Sequence, residues 1–160
     1  MLYPQLLDGS FEKLPQALRE FHSRPEGGKA SGAVSVRHAS ALFARLVGFP
    51  PRGDNIPLQL EVVAGENSEV WIRRFGGVVL RTTQRREGNL LLEMFGPVRM
   101  LFRLLADERG MRFECQRARL WGIPLPLRVE ARVWGDATSW EVEVTVGGVG
   151  SYHGAMVAAP

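Results

Sequence analysis

The sequence predicts an α+β fold: a long antiparallel β-meander forming a strongly curved sheet or partly closed barrel, covered by two N-terminal helices. Three observations predict it. Apolar residues recur at helical spacing only in the first third of the chain. From Ile56 onward the period changes to two, through successive runs of strand type. Most of these runs are separated by turns short enough for hairpins, so neighbours are antiparallel. A long twisted antiparallel sheet curls, and helices cover its open side.

In "LPQALREFHS", Pro15 suits a first helical turn and Leu14, Leu18 and Phe21 form one stripe. "KASGAVSVR" follows as a strand of small residues. In "HASALFARLVGFPP", Ser40 is the expected N-cap and Leu42, Phe43, Leu46 and Val47 the apolar face, with Gly48 and Pro50 as the stop. Strands are then predicted at Pro57 to Ala64, Glu69 to Phe75, Val78 to Glu87, Leu90 to Phe95, Val98 to Ala106, Met111 to Trp121, Leu127 to Trp134, Ser139 to Val146 and Ser151 to Val157. Two spans leave strand parity open. Gly96-Pro97 is a tight turn or a bend in one long strand, and Gly122 to Pro126 is a bulge or a loop, because proline cannot donate to a ladder.

The 160 residues are expected to form a single domain, 1–160, with the helices and one strand in 1–55 and the meander in 56–160. A chain of this size buries about 70 % of the surface that it exposes when unfolded. The lone Cys115 forms no intramolecular disulfide and supplies no zinc framework, which fits a reducing, cytoplasmic location. No apolar run approaches the ~18 residues of a membrane span, and the first residues lack a signal-peptide pattern. The net charge of +3 comes from 18 Arg and 2 Lys interspersed with acids, a mixed surface rather than the basic stripe of a nucleic-acid binder.

Five stretches, "YPQLL", "WIRRFGG", "EMFGP", "GIPLP" and "YHG", resemble a bacterial family catalogued as domain of unknown function 4166. The resemblance runs from Tyr3 to about Met156 and carries emphasis onto Trp71, Arg73, Phe75, Glu93, Phe95, Gly96, Pro97, Pro124, Pro126, Tyr152 and Gly154. Proteins of that family stand alone or follow a domain related to saccharopine dehydrogenase. The resemblance therefore implies a dehydrogenase-like protein as a partner, and no established activity.

In "VWIRRFGG", Trp71, Arg73 and Phe75 share one face of a strand and Ile72 and Arg74 the other. Burying Trp71 and Phe75 outweighs burying Ile72 at ~25 cal/mol per Å², so Arg73 is expected to point inward. There it requires an anion. Glu93, flanked by Leu92 and Met94, is the expected partner, as a structural pair or as part of a site. In "MRFECQRARLWG" two registers are open. Unbroken alternation carries Arg117 and Arg119 inward to join Arg73 as the basic end of a pocket; a bulge near Gln116 turns Ala118 and Leu120 inward instead.

His22, His38 and His153 stand isolated, without metal-ligand spacing, and neither a metal nor a cofactor is expected. "VGGVGSYHG" lacks the helix that a phosphate loop needs, and Arg52-Gly53-Asp54 reads as a loop. The expected function is non-catalytic binding of an apolar or amphiphilic small molecule inside the curved sheet. The candidate binding residues are Trp71, Arg73, Phe75, Glu93, Phe102, Arg117, Arg119, Trp140 and Tyr152, and the aromatic lining draws also on Met100. Two alternatives remain: an enzyme with Glu93 as acid or base and Tyr152 as donor, or a protein-interaction module. On the last hairpin, Val129, Ala131 and Val133 should face the core with Trp140, Val142 and Val144, and Arg132 should lie opposite Glu141.

Overall fold

Period-two alternation from Gly27 onward builds, among the described residues, eleven strands: β1 (Gly27–His38), β2 (Gly53–Ala64), β3 (Ser68–Phe75), β4 (Val78–Glu87), β5 (Leu90–Phe95), β6 (Val98–Asp107), β7 (Gly110–Leu120), β8 (Ile123–Leu125), β9 (Val129–Gly135), β10 (Ser139–Val146) and β11 (Gly150–Ala158). The structure, a computed structural model, describes residues 1–46 and 48–160, with only the backbone of Phe43 and Leu46. Every pairing is antiparallel. The sheet runs β6-β5-β4-β3-β2-β1-β11-β10-β9-β7-β8, and β6 pairs with β7, which closes ten strands into a barrel with β8 as a short outer ribbon. Closure removes the edges that an open sheet would leave for aggregation.

The turns settle the open spans. Gly96-Pro97 is a tight turn, since Phe95 faces Val98 across it. "GIPLP" is neither a bulge nor only a loop: Ile123–Leu125 returns as β8 along Leu120 to Ala118, with Trp121-Gly122 at the tip. The bulge falls at Gln116, because Leu101 pairs with Arg117 while the next residue, Phe102, pairs with Cys115. Ala118 is thereby buried.

One register differs from expectation by two residues. The inward faces of β9 and β10 are as predicted, but Trp140 pairs with Gly135 and Arg132 lies opposite Glu143, not Glu141. The cause is Asp136. Its Oδ1 accepts the backbone N–H groups of Thr138 and Ser139 at 2.8 and 3.0 Å, an Asx-type turn that lets Gly135 extend the strand. At the β1–β11 seam Gly154 faces Val34, and a Cβ there would lie 2.0 Å from the Ala33 carbonyl oxygen. Only glycine permits that approach of backbones.

The N-terminal segment is more helical than the sequence suggests. It forms α1 (Leu2–Leu7), a 3-10 helix (Asp8–Lys13) and α2 (Gln16–His22), the last with the expected Leu14, Leu18 and Phe21 stripe buried. These elements plug one end of the barrel, where the turns 65–67, 88–89, 108–109 and 136–138 lie; Ala17 N–H donates to Asp136 O and Leu2 N–H to Glu69 Oε1. In the connection between β1 and β2, residues 39–46 and 48–52 cover the opposite mouth as a lid. Ala39 and Ser40 donate to Val149 O, and Gly48 stands beside the ring of Phe95 on the far wall. The lid contains α3 (Ala41–Leu46), on which Leu42 is 76 % exposed rather than on a buried face. The expected contributions of Phe43, Leu46 and Val47 to that face lie outside the described residues.

Candidate functional site

Alternation on β3 sends Glu69, Trp71, Arg73 and Phe75 into the lumen, and Arg74 out to Glu61 at 3.1 Å. Arg73 and Glu93 keep only 14 % and 12 % of their side-chain surface. Both terminal nitrogens of Arg73 donate to Glu93 Oε1 at 3.4 Å, and Nη1 also donates to Thr82 Oγ1 at 3.1 Å. The guanidinium carbon stands 5.0 Å from the centre of the Trp71 ring, a cation–π contact. Burial opposes the charge on Arg73, but Glu93 and the nearby phenols of Tyr152 and Tyr3 outweigh it, and its pKa is raised.

Around this pair the lumen carries a polar layer that the sequence analysis missed. Tyr3 O–H donates to Gln84 Oε1 at 2.8 Å, and Gln84 is the register partner of Glu93. Trp71 Nε1 donates to Glu69 Oε2 at 3.1 Å. Burial raises the Glu69 carboxyl, against the opposing hydrogen bonds from Trp71 and Leu2. His22, stacked near Tyr3 and Trp71, is driven by burial down to about 3 and is neutral. Inward parity of Leu80, Thr82 and Gln84 on β4 was the available signal for the missed polar residues: a Thr and a Gln on the core face must find partners. Every buried polar side-chain atom among the described residues does.

The predicted lining residues do not all meet in one cavity. Trp71 and Trp140 lie under the plug, packed on Tyr3 at 6.0 Å and Phe21 at 5.1 Å between ring centres, so the chain's own helices fill the aromatic hollow expected there. Phe102 contacts Phe113 in the same layer. Phe75 and Tyr152 meet at 5.2 Å nearer the lid, where Phe49 joins them. Burial raises the Tyr152 phenol, so it is a protonated donor at neutral pH. Arg117 and Arg119 do not join Arg73: the bulge at Gln116 turns both to the exposed outer surface. His153 is also outside, stacked on Trp134 with Nε2 3.3 Å from Glu141.

The inward side chains of the barrel are unequally buried. On β1 and β2 the inward Ala30, Val34, Val36, Leu58, Leu60 and Val62 are all buried. Ile56 on β2, and on other strands Leu80, Met100, Cys115, Val142, Val144 and Val146, belong to the same core yet remain partly accessible. The Cys115 thiol is pushed up by burial and stays protonated.

Among the described residues no group of three or more His, Cys, Asp or Glu could hold a metal ion, and no helix is long and apolar enough to cross a membrane. Neither the search of curated proteins nor the search of solved structures returned a match. A family-wide sequence profile matches residues 14–156, nearly the whole barrel with α2, and the chain thus belongs to the family described as Domain of unknown function (DUF4166).

Proposed function

We propose that the barrel binds a small apolar or amphiphilic molecule between plug and lid. The observation that carries this is a set of inward core side chains that keep accessible surface, Leu80, Met100, Val142 and Val144 among them. Apolar area on these side chains supplies affinity at ~25 cal/mol per Å² covered. The polar end of the ligand meets Arg73, Thr82 and Tyr152. Glu93 engages Arg73 through one oxygen at 3.4 Å, long for a charge-assisted bond, and a ligand carboxylate or phosphate competes for the same fork of donors. Binding is non-catalytic in this account, with Glu93 held by Arg73.

The test is titration with 11-(dansylamino)undecanoic acid, followed by displacement with dodecanoate and dodecanol. Enhanced probe fluorescence, displacement by both, and loss of binding in Val144→Trp support the proposal. Stronger displacement by dodecanoate assigns the head to Arg73. An unresponsive probe, or a Val144→Trp variant that binds like the parent, overturns it.

A further inference from the structure

The lid end of the barrel has a composition that the rest of the chain lacks. The segments 39–53, 75–80, 94–101, 117–129 and 146–151 meet there, and they carry Arg45, Arg52, Arg99, Arg117, Arg119 and Arg128 but no Asp or Glu. Of the acids just outside these segments, Asp54 is already held by Arg37 at 2.6 Å and Glu93 by Arg73, while Glu130 follows Val129. The plugged end carries both signs, with Glu66, Glu87, Asp107, Glu108 and Asp136 but also Arg85, Arg86 and Arg109 in or beside its turns.

Two features make this rim more than a solvated charge run. Arg99 and Arg119 are direct cross-strand partners on the outer face, a like-charge pairing that destabilises a sheet, and neither has an ion-pair partner among the described residues. They line a hollow of about 390 Å³ with Gly96, Pro97, Trp121 and Gly122. An anion between the two guanidiniums would cancel their repulsion. The second feature is the hairpin tip. Trp121 sits at φ 49 followed by Gly122 at φ 83, the turn that Asn-Gly occupies without strain and a bulky aromatic only at a cost. That Trp is 76 % exposed, and Ile123 beside it 68 %. The exposed Leu42 of the lid lies at the same end.

We propose that this rim docks on an anionic lipid surface, with headgroup phosphates seated at Arg99 and Arg119 and with Trp121 and Ile123 in the headgroup layer. Tryptophan suits that layer because its ring is apolar and its N–H polar. Arginines near an anionic leaflet add attraction that salt screens. The docking rests on the outer rim alone and is read independently of lumen occupancy, although it would bring the lid against the bilayer from which an amphiphile enters.

The experiment is co-sedimentation of the full chain with phosphatidylcholine vesicles, with and without about 30 % phosphatidylglycerol, at about 0.05 and 0.5 M salt. The expected result is at least about tenfold more binding to anionic vesicles, lost at high salt. Trp121→Asn should cut that binding about tenfold while raising the thermal midpoint, since it installs the preferred turn pair. Arg99→Glu with Arg119→Glu should abolish binding with the barrel's circular dichroism unchanged. Equal binding to neutral vesicles, tip and charge variants that bind like the parent, or a Trp121-dependent dimer in sedimentation velocity without vesicle binding would overturn the proposal, the last by assigning the patch to a second copy of the chain.

Discussion

Arg73 and Glu93, twenty residues apart in sequence, face each other inside the barrel with both guanidinium ends on one carboxylate oxygen, while Arg74 takes Glu61 on the outside. Removing one member strands a charge in the lumen. Arg73→Met is expected to destabilise by ~3 to 5 kcal/mol, and adding Glu93→Gln to recover much of that loss. Chemical denaturation of the two single variants and the double variant checks this. Additive losses would mean that the pair is uncoupled.

Much of this pair was legible in the sequence because strand parity and apolar area both act locally. Once Trp71 and Phe75 turn inward, Arg73 has no other side to take. The closed barrel was less legible, since the β1–β11 pairing joins the first and last strands and depends on accumulated twist. The plug was missed for a different reason. Leu2, Tyr3 and Leu7 make a six-residue helix too short to show a periodic stripe, and its stability comes from the barrel that it fills. Tyr3 therefore escaped notice, although it is fully buried and bonded to Gln84. The shifted register at Asp136 reflects side-chain-to-backbone bonds that loop length alone does not encode.

His22 gives a pH dependence with a definite sign. Its folded pKa of about 3 lies below the ~6.5 of an unfolded chain, so the unfolded state takes up the proton first. The contribution to stability is complete above about pH 6.5 and lost progressively as pH falls toward 3, on the order of 4 kcal/mol in all. Glu69, whose carboxyl is raised by burial, takes up its proton first in the folded state as pH falls and so blunts the loss. Thermal melts from pH 7 to pH 4 should show a falling midpoint in the parent and a flatter profile in His22→Phe. A parallel fall in both would place the titration elsewhere.

The seam at Gly154 gives a steric prediction. Its added Cβ would meet the Ala33 carbonyl oxygen at 2.0 Å and Val34 Cα at 2.7 Å, both backbone atoms that cannot swing away. Gly154→Ala should cost at least ~1 to 3 kcal/mol. Gly77→Ala, where nothing lies within 4 Å, is the control and should have little effect. Urea denaturation midpoints of the two variants decide the matter.

Filling the lumen should separate stability from binding. Val144 keeps accessible surface beside Tyr152 and Ala131, and a larger apolar residue there is expected to occupy space rather than displace neighbours. Val144→Phe is expected to hold or raise the thermal midpoint while weakening an apolar probe by about tenfold, whereas overpacking a filled core would cost ~1 to 3 kcal/mol. Differential scanning fluorimetry beside probe titration distinguishes the two.

The central claim, that the space between plug and lid holds an amphiphile, is tested most directly by native mass spectrometry of the purified chain before and after solvent extraction. The account predicts a population heavier than the 17.8 kDa chain by the mass of one small molecule, removed by extraction, restored by added dodecanoate, and reduced in Val144→Trp. A single species at the mass of the bare chain in every sample, dodecanoate included, would contradict it.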